Sequence, residues 1–72
     1  MNQQKADAIE AGKRLRQIRG IRTRYGVARE IGISYSALAF YENGQRTPAG
    51  RVKKKIADYY GVPVEFIWFC EQ

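Results

Sequence analysis

Between Lys13 and Arg29 the chain carries seven cations (Lys13, Arg14, Arg16, Arg19, Arg22, Arg24 and Arg29) and no carboxylate. A second basic block, Arg51-Val52-Lys53-Lys54-Lys55, follows. Cations grouped in this way attract polyanions, either a nucleic acid or an acidic membrane surface. The plainer alternative is a solvated face that keeps the chain soluble, but two uncompensated clusters exceed that need. Over the whole sequence thirteen Lys and Arg face seven Asp and Glu, a formal charge of +6. Bond-breaking chemistry has far less to work with. There is no histidine, which excludes the common zinc sites and a His-based triad. The lone Cys70 admits no internal disulfide. Glu71 beside it would raise a thiol pKa rather than activate it, so Cys70 reads as inert. Glu42 has no paired acid or base near it in sequence, and a general-acid role lacks its second member. The expectation is therefore a binding protein that is not an enzyme, with no cofactor and no metal.

The elements that must position these cations are helical. Ala8, Ala11, Leu15 and Ile18 recur at steps of three and four, one face of an amphipathic helix, and Gly20 ends it. Val27, Ala28 and Ile31 predict a short second helix closed by Gly32, although Gly26 inside it costs about 1 kcal/mol against alanine. Ser34 suits the N-cap of a third helix, with Ile33 before it and Leu38 after it placed for a hydrophobic staple. That helix buries Leu38 and Tyr41 and stops at Asn43-Gly44. Pro48 marks the start of a fourth, whose inner face is Val52, Ile56 and Tyr60, with Gly61 as its stop. Pro63 opens a fifth, with Val64, Ile67 and either Trp68 or Phe69 inward. The expected fold class is all-α, five helices over roughly 7–19, 24–31, 35–42, 49–60 and 63–70, with no strand pattern, repeat or linker.

With 72 residues the chain is expected to form one domain, 1–72, with a marginal core and no room for a ligand-sensing domain. The N-terminal residues lack the apolar stretch of a signal peptide, and the longest apolar run, near Val62–Cys70, is too short to cross a bilayer. A cytoplasmic protein without a membrane partner is expected.

Two short helices joined by a tight turn, the second projecting from a cationic frame, suit the DNA major groove, which is about 12 Å wide. Here the resemblance becomes specific. Ala11-Gly12-Lys13-Arg14-Leu15-Arg16-Gln17-Ile18-Arg19, Val27-Ala28, Ile31-Gly32-Ile33-Ser34, Tyr41-Glu42-Asn43-Gly44-Gln45-Arg46-Thr47-Pro48, and Ile56-Ala57 followed by Gly61-Val62 closely resemble the XRE family, the lambda-repressor-like domains that include Cro. The resemblance implies a five-helix domain whose second and third helices bind double-stranded DNA, usually as a dimer, in a bacterial or phage-encoded transcriptional regulator. It assigns base contacts to Ser34, Tyr35, Ser36, Ala39 and Phe40. Phosphate contacts fall to Arg24, Asn43, Arg46, Thr47 and Arg51. Arg24 stands where the family commonly has glutamine, at a position that also orients a base-reading side chain. The resemblance gives Glu42 a structural bond, to an arginine of the first helix. Gly50 and Lys53 stand where the family usually buries leucines, and the turn between the first two helices is shorter than usual.

Three features stay open at this level. Phe40 suits a thymine methyl group, a partner protein or its own core. Tyr35 suits DNA contact or a plain surface position. The run Val64-Glu65-Phe66-Ile67-Trp68-Phe69 suits either a well-filled core or, as preferred here, a symmetric homodimer interface made by Phe66, Ile67, Trp68 and Phe69. Against the leading expectation, a repressor on an inverted-repeat operator, stands a protein-interaction module of antitoxin or anti-repressor type on the same scaffold, with a regulatory protein as partner. RNA binding lacks the recurrent surface aromatics of a stacking platform.

Overall fold

Leu15, Leu38, Ile56 and Ile67 come from four different helices, and each is fully buried. The computed structural model describes residues 3–68 of the chain. Five helices follow in order: α1 (Gln3–Arg19), α2 (Arg24–Ile31), α3 (Tyr35–Glu42), α4 (Gly50–Tyr60) and α5 (Val64–Ile67). No strand occurs among the described residues, as the all-α expectation requires. The core joins those four residues to Ala11, Val27, Ala28, Ile31, Ala57 and Trp68, with Ile33, Tyr41 and Val52 packed against its edge.

The helix stops fall where the glycines placed them: Gly20, Gly32, Gly44 and Gly61 all have positive φ. At the turn between α2 and α3, Gly32 (φ 93°) and Ile33 both donate their amides to the Ala28 carbonyl, at 2.9 and 3.0 Å. Thr23 and Ser34 cap α2 and α3, each accepting a backbone N–H three residues on at 3.0 Å. That capping explains how α2 tolerates Gly26, whose amide is the one Thr23 holds.

Gly12 sets the distance between α1 and α3. A Cβ there would stand 2.8 Å from the Glu42 carbonyl carbon and 2.9 Å from the Tyr41 carbonyl oxygen, so only a glycine lets the two backbones approach this closely.

Three expected boundaries shift. α1 starts earlier, at Gln3. α4 starts at Gly50 with Ala49 as its cap, so Pro48 is a buried residue of the preceding loop rather than the first of the helix. α5 ends at Ile67, because Trp68 is extended (φ −110°, ψ 121°). The expected continuation to residue 70, with Phe69 and Cys70, lies outside the described residues.

Candidate nucleic-acid interface

Leu38 points from α3 into the core. At 3.6 residues per turn, Ser36 and Phe40 therefore lie about 200° around the helix from it, on the opposite face. Ser36 is exposed and Tyr35 is 49% exposed, while Ala39 and Phe40 are half-buried. Ser34 is exposed too, but its hydroxyl oxygen is committed to the Ala37 amide, leaving the O–H as a donor.

A buried carboxylate holds this helix in place. Glu42 is 0% exposed. Arg19 grips it with two donors, Nε to Oε2 at 2.8 Å and Nη2 to Oε1 at 3.1 Å. Arg24 adds a third, Nε to Oε1 at 2.9 Å. Arg16 donates to the Glu42 carbonyl oxygen. A lone buried carboxylate would cost several kcal/mol, roughly, and paired guanidiniums offset that. The expected link from Glu42 to an arginine of α1 is present, and α2 shares it.

This changes the reading of the basic run. Arg16, Arg19 and Arg24 turn charge or donors inward, so the seven cations do not all face a polyanion. Arg24 in particular has its Nε on Glu42 while its Nη1 approaches the Tyr35 hydroxyl at 3.5 Å. Its guanidinium sits 5.7 Å from the centre of the Tyr35 ring. The Glu42 hydrogen bond comes first among the causes that raise the Arg24 pKa.

At the other end of α3 the loop folds back. Gln45 and Arg46 both donate their amides to the Phe40 carbonyl, at 2.9 and 3.4 Å. The Arg46 guanidinium then lies 4.8 Å from the Phe40 ring centre. Asn43, Arg46, Thr47 and Arg51 are all exposed along this loop and the first turn of α4. That turn has no side-chain cap, and Gly50 opens onto empty space, a feature sequence reasoning missed. Uncapped amides at a helix start suit a phosphate.

A profile of the helix-turn-helix family HTH_3 matches residues 13–67, more than half of the chain. The chain belongs to the XRE-type helix-turn-helix family. Searches among curated proteins and among solved structures gave no match. Membership makes this a DNA-binding helix-turn-helix domain of the regulator type, with α2 and α3 as its motif. Among the described residues no helix is long and apolar enough to cross a membrane, and no group of His, Cys, Asp and Glu could hold a metal ion.

The expected dimer face of this helix-turn-helix domain needs correction. Ile67 is fully buried and Trp68 is 4% exposed, both packed into the chain's own core, with the Lys53 ammonium 5.8 Å from the Trp68 ring centre. In this chain Ile67 leaves no surface for a second subunit and Trp68 very little. Phe66 is 53% exposed and remains available; Phe69 lies outside the described residues. Lys53, which stands where a family leucine is usual, instead covers Trp68.

The sequence reading also missed two exposed apolar side chains, one in the α1–α2 turn and one on α2. Ile21 is fully exposed and Tyr25 is 63% exposed. Tyr25, Ala28, Arg29, Ile33 and Tyr35 line an open depression of about 300 Å³. Isolated exposed apolar residues carry no signal in a sequence, because the period of α2 places only its buried face.

Proposed function

We propose that this domain is a transcriptional repressor that binds an inverted-repeat operator as a homodimer. Each α3 enters a major groove, and the two lie about 34 Å apart on one face of the duplex. Base contacts fall to Ser34, Tyr35, Ser36, Ala39 and Phe40. Phosphate contacts fall to Asn43, Arg46, Thr47 and Arg51, while Arg24, tied to Glu42, positions the Tyr35 ring. Phe66, exposed on α5, is the anchor of the subunit interface. Occupancy of a promoter blocks polymerase. The observation that carries this reading is the outward face of α3, opposite Leu38, with the exposed Arg46 guanidinium against its Phe40 ring.

Selection of bound duplexes from a random pool at about 150 mM salt, where non-specific binding is suppressed, is the test. An enriched inverted repeat with half-sites about one turn apart supports the proposal. A folded protein that enriches nothing refutes it and favours the second reading, a protein-interaction module of antitoxin or anti-repressor type. Exposed Ile21 and Tyr25 are the observation on that side, since neither has a core to fill.

A further inference from the structure

The outward face of α3 lacks the side chains that read bases by paired hydrogen bonds. Bidentate recognition of guanine uses Arg or Lys, and that of adenine uses Asn or Gln; Asp or Glu accepts from cytosine. Here the face offers Ser36, Ala39 and Phe40, with Tyr35 to one side and Ser34 at the cap. The Arg24 guanidinium, beside the start of α3, is tied to Glu42 and lies against Tyr35. That of Arg46, at the far end, lies over Phe40. The amide of Asn43 sits at the C-cap, whereas the N-terminal residues of a recognition helix are the ones that reach base edges.

What remains beside the serine hydroxyls is apolar surface backed by guanidinium groups. Tyr35 and Phe40 each have a guanidinium against the ring, and one of those guanidiniums is anchored to a buried carboxylate. On the major-groove edge of a base pair the apolar group is the C5-methyl of thymine. We propose that direct readout by this domain is carried mainly by C5-methyl groups, contacted by Phe40, Ala39 and Tyr35, so that 5-methylcytosine substitutes in part for thymine at the contacted positions. This rests on the DNA-binding reading above and adds its substrate class: duplex with methyl-bearing pyrimidines in each half-site.

The test starts from the selected duplex. Thymines are replaced one at a time by deoxyuridine, which removes the methyl and keeps the pairing. Loss of one buried methyl corresponds to about a fourfold weaker binding, and this is expected at two or more positions in each half-site. Placing cytosine at such a position and then methylating its C5 should regain about the same factor. With Phe40→Ala, checked for retained helicity, one of these uracil effects should vanish; Phe40→Leu, still apolar, should keep most of it. Selected half-sites without thymine, or binding indifferent to every uracil, would overturn the inference while leaving the repressor reading intact. Failure to select any duplex would overturn both.

Discussion

Arg24 Nε donates to Glu42 Oε1 across 2.9 Å, tying the first residue of α2 to the last residue of α3. The same carboxylate binds Arg19 of α1, so one buried acid joins three helices. The angle at which α3 projects is thus fixed by charge pairing as well as by the apolar core. Glu42→Gln keeps the size and removes the charge. It should lower the unfolding free energy by about 3 kcal/mol, the low end for breaking a buried pair, because both guanidiniums keep some access to solvent. Urea unfolding measures this. A loss below about 1 kcal/mol, typical of exposed pairs, would show that the network is dispensable.

Arg24 and Arg46 should separate on DNA. Arg46→Ala should weaken all duplexes about equally and reduce the log-log salt slope by about 0.9, the contribution of one phosphate. Arg24→Ala should leave that slope nearly unchanged and alter base preference instead, because its Nε serves Glu42 and its ring contact holds Tyr35. Titrations at several salt concentrations on selected and shuffled duplexes distinguish the two. An equal fall in slope for both variants would make Arg24 a phosphate ligand after all.

Much of this architecture was legible in the sequence because its signals are local. Ser34, Gly32 and the spacing of Val27, Ala28, Ile31 and Leu38 specify the turn between α2 and α3 through caps and period. What was not legible depends on partners from other elements. Whether Arg24 faces a phosphate or a buried carboxylate is decided by Glu42, eighteen residues away. Phe66, Ile67 and Trp68 form an apolar run in which period cannot choose the inner face; the turn to extended backbone at Trp68 sends it into the core and leaves Phe66 outside.

Tyr60 offers a test at high pH. Its hydroxyl is buried without a hydrogen-bond partner, and burial is the main cause that pushes its pKa up to about 12 from 10.0. The neutral phenol is favoured in the folded state. The stability it contributes is therefore complete below pH 10 and is lost as pH rises toward 12. Tyr60→Phe removes an unsatisfied buried group, so at neutral pH the variant should be as stable as the parent or more stable. Its thermal midpoint should also fall less than the parent's across the same alkaline window. A variant destabilised by more than about 1 kcal/mol would mean that the hydroxyl makes a hydrogen bond of ordinary strength.

The core makes a sharper demand at Leu38. This side chain is fully buried and is the apolar residue by which α3 enters the core. Leu38→Ala should cost about 2–5 kcal/mol, the range for cavities at buried leucines. In so small a domain that is a large share of the total stability. Phe40→Ala, on the opposite face and half-buried, should cost less than half as much. Thermal unfolding of the two variants side by side gives the comparison. If Phe40→Ala proved the more damaging, Phe40 would be a core residue and the outward face of α3 would lose its largest reader.

Among the described residues Phe66 is the member of the proposed subunit interface that stays exposed. It is 53% exposed on α5, while its neighbours Ile67 and Trp68 are spent on the chain's own core. Phe66→Glu places a charge on that face without opening a cavity, so the monomer should fold with nearly unchanged helicity. If α5 pairs two subunits, sedimentation at micromolar concentration should show a dimer for the parent and a monomer for the variant. Binding to a full inverted repeat should then fall toward that of a single half-site, because the second contact is no longer tethered to the first. A parent that sediments as a dimer and a variant that does the same would move the interface away from Phe66, and exposed Ile21 and Tyr25 would be the next positions to change.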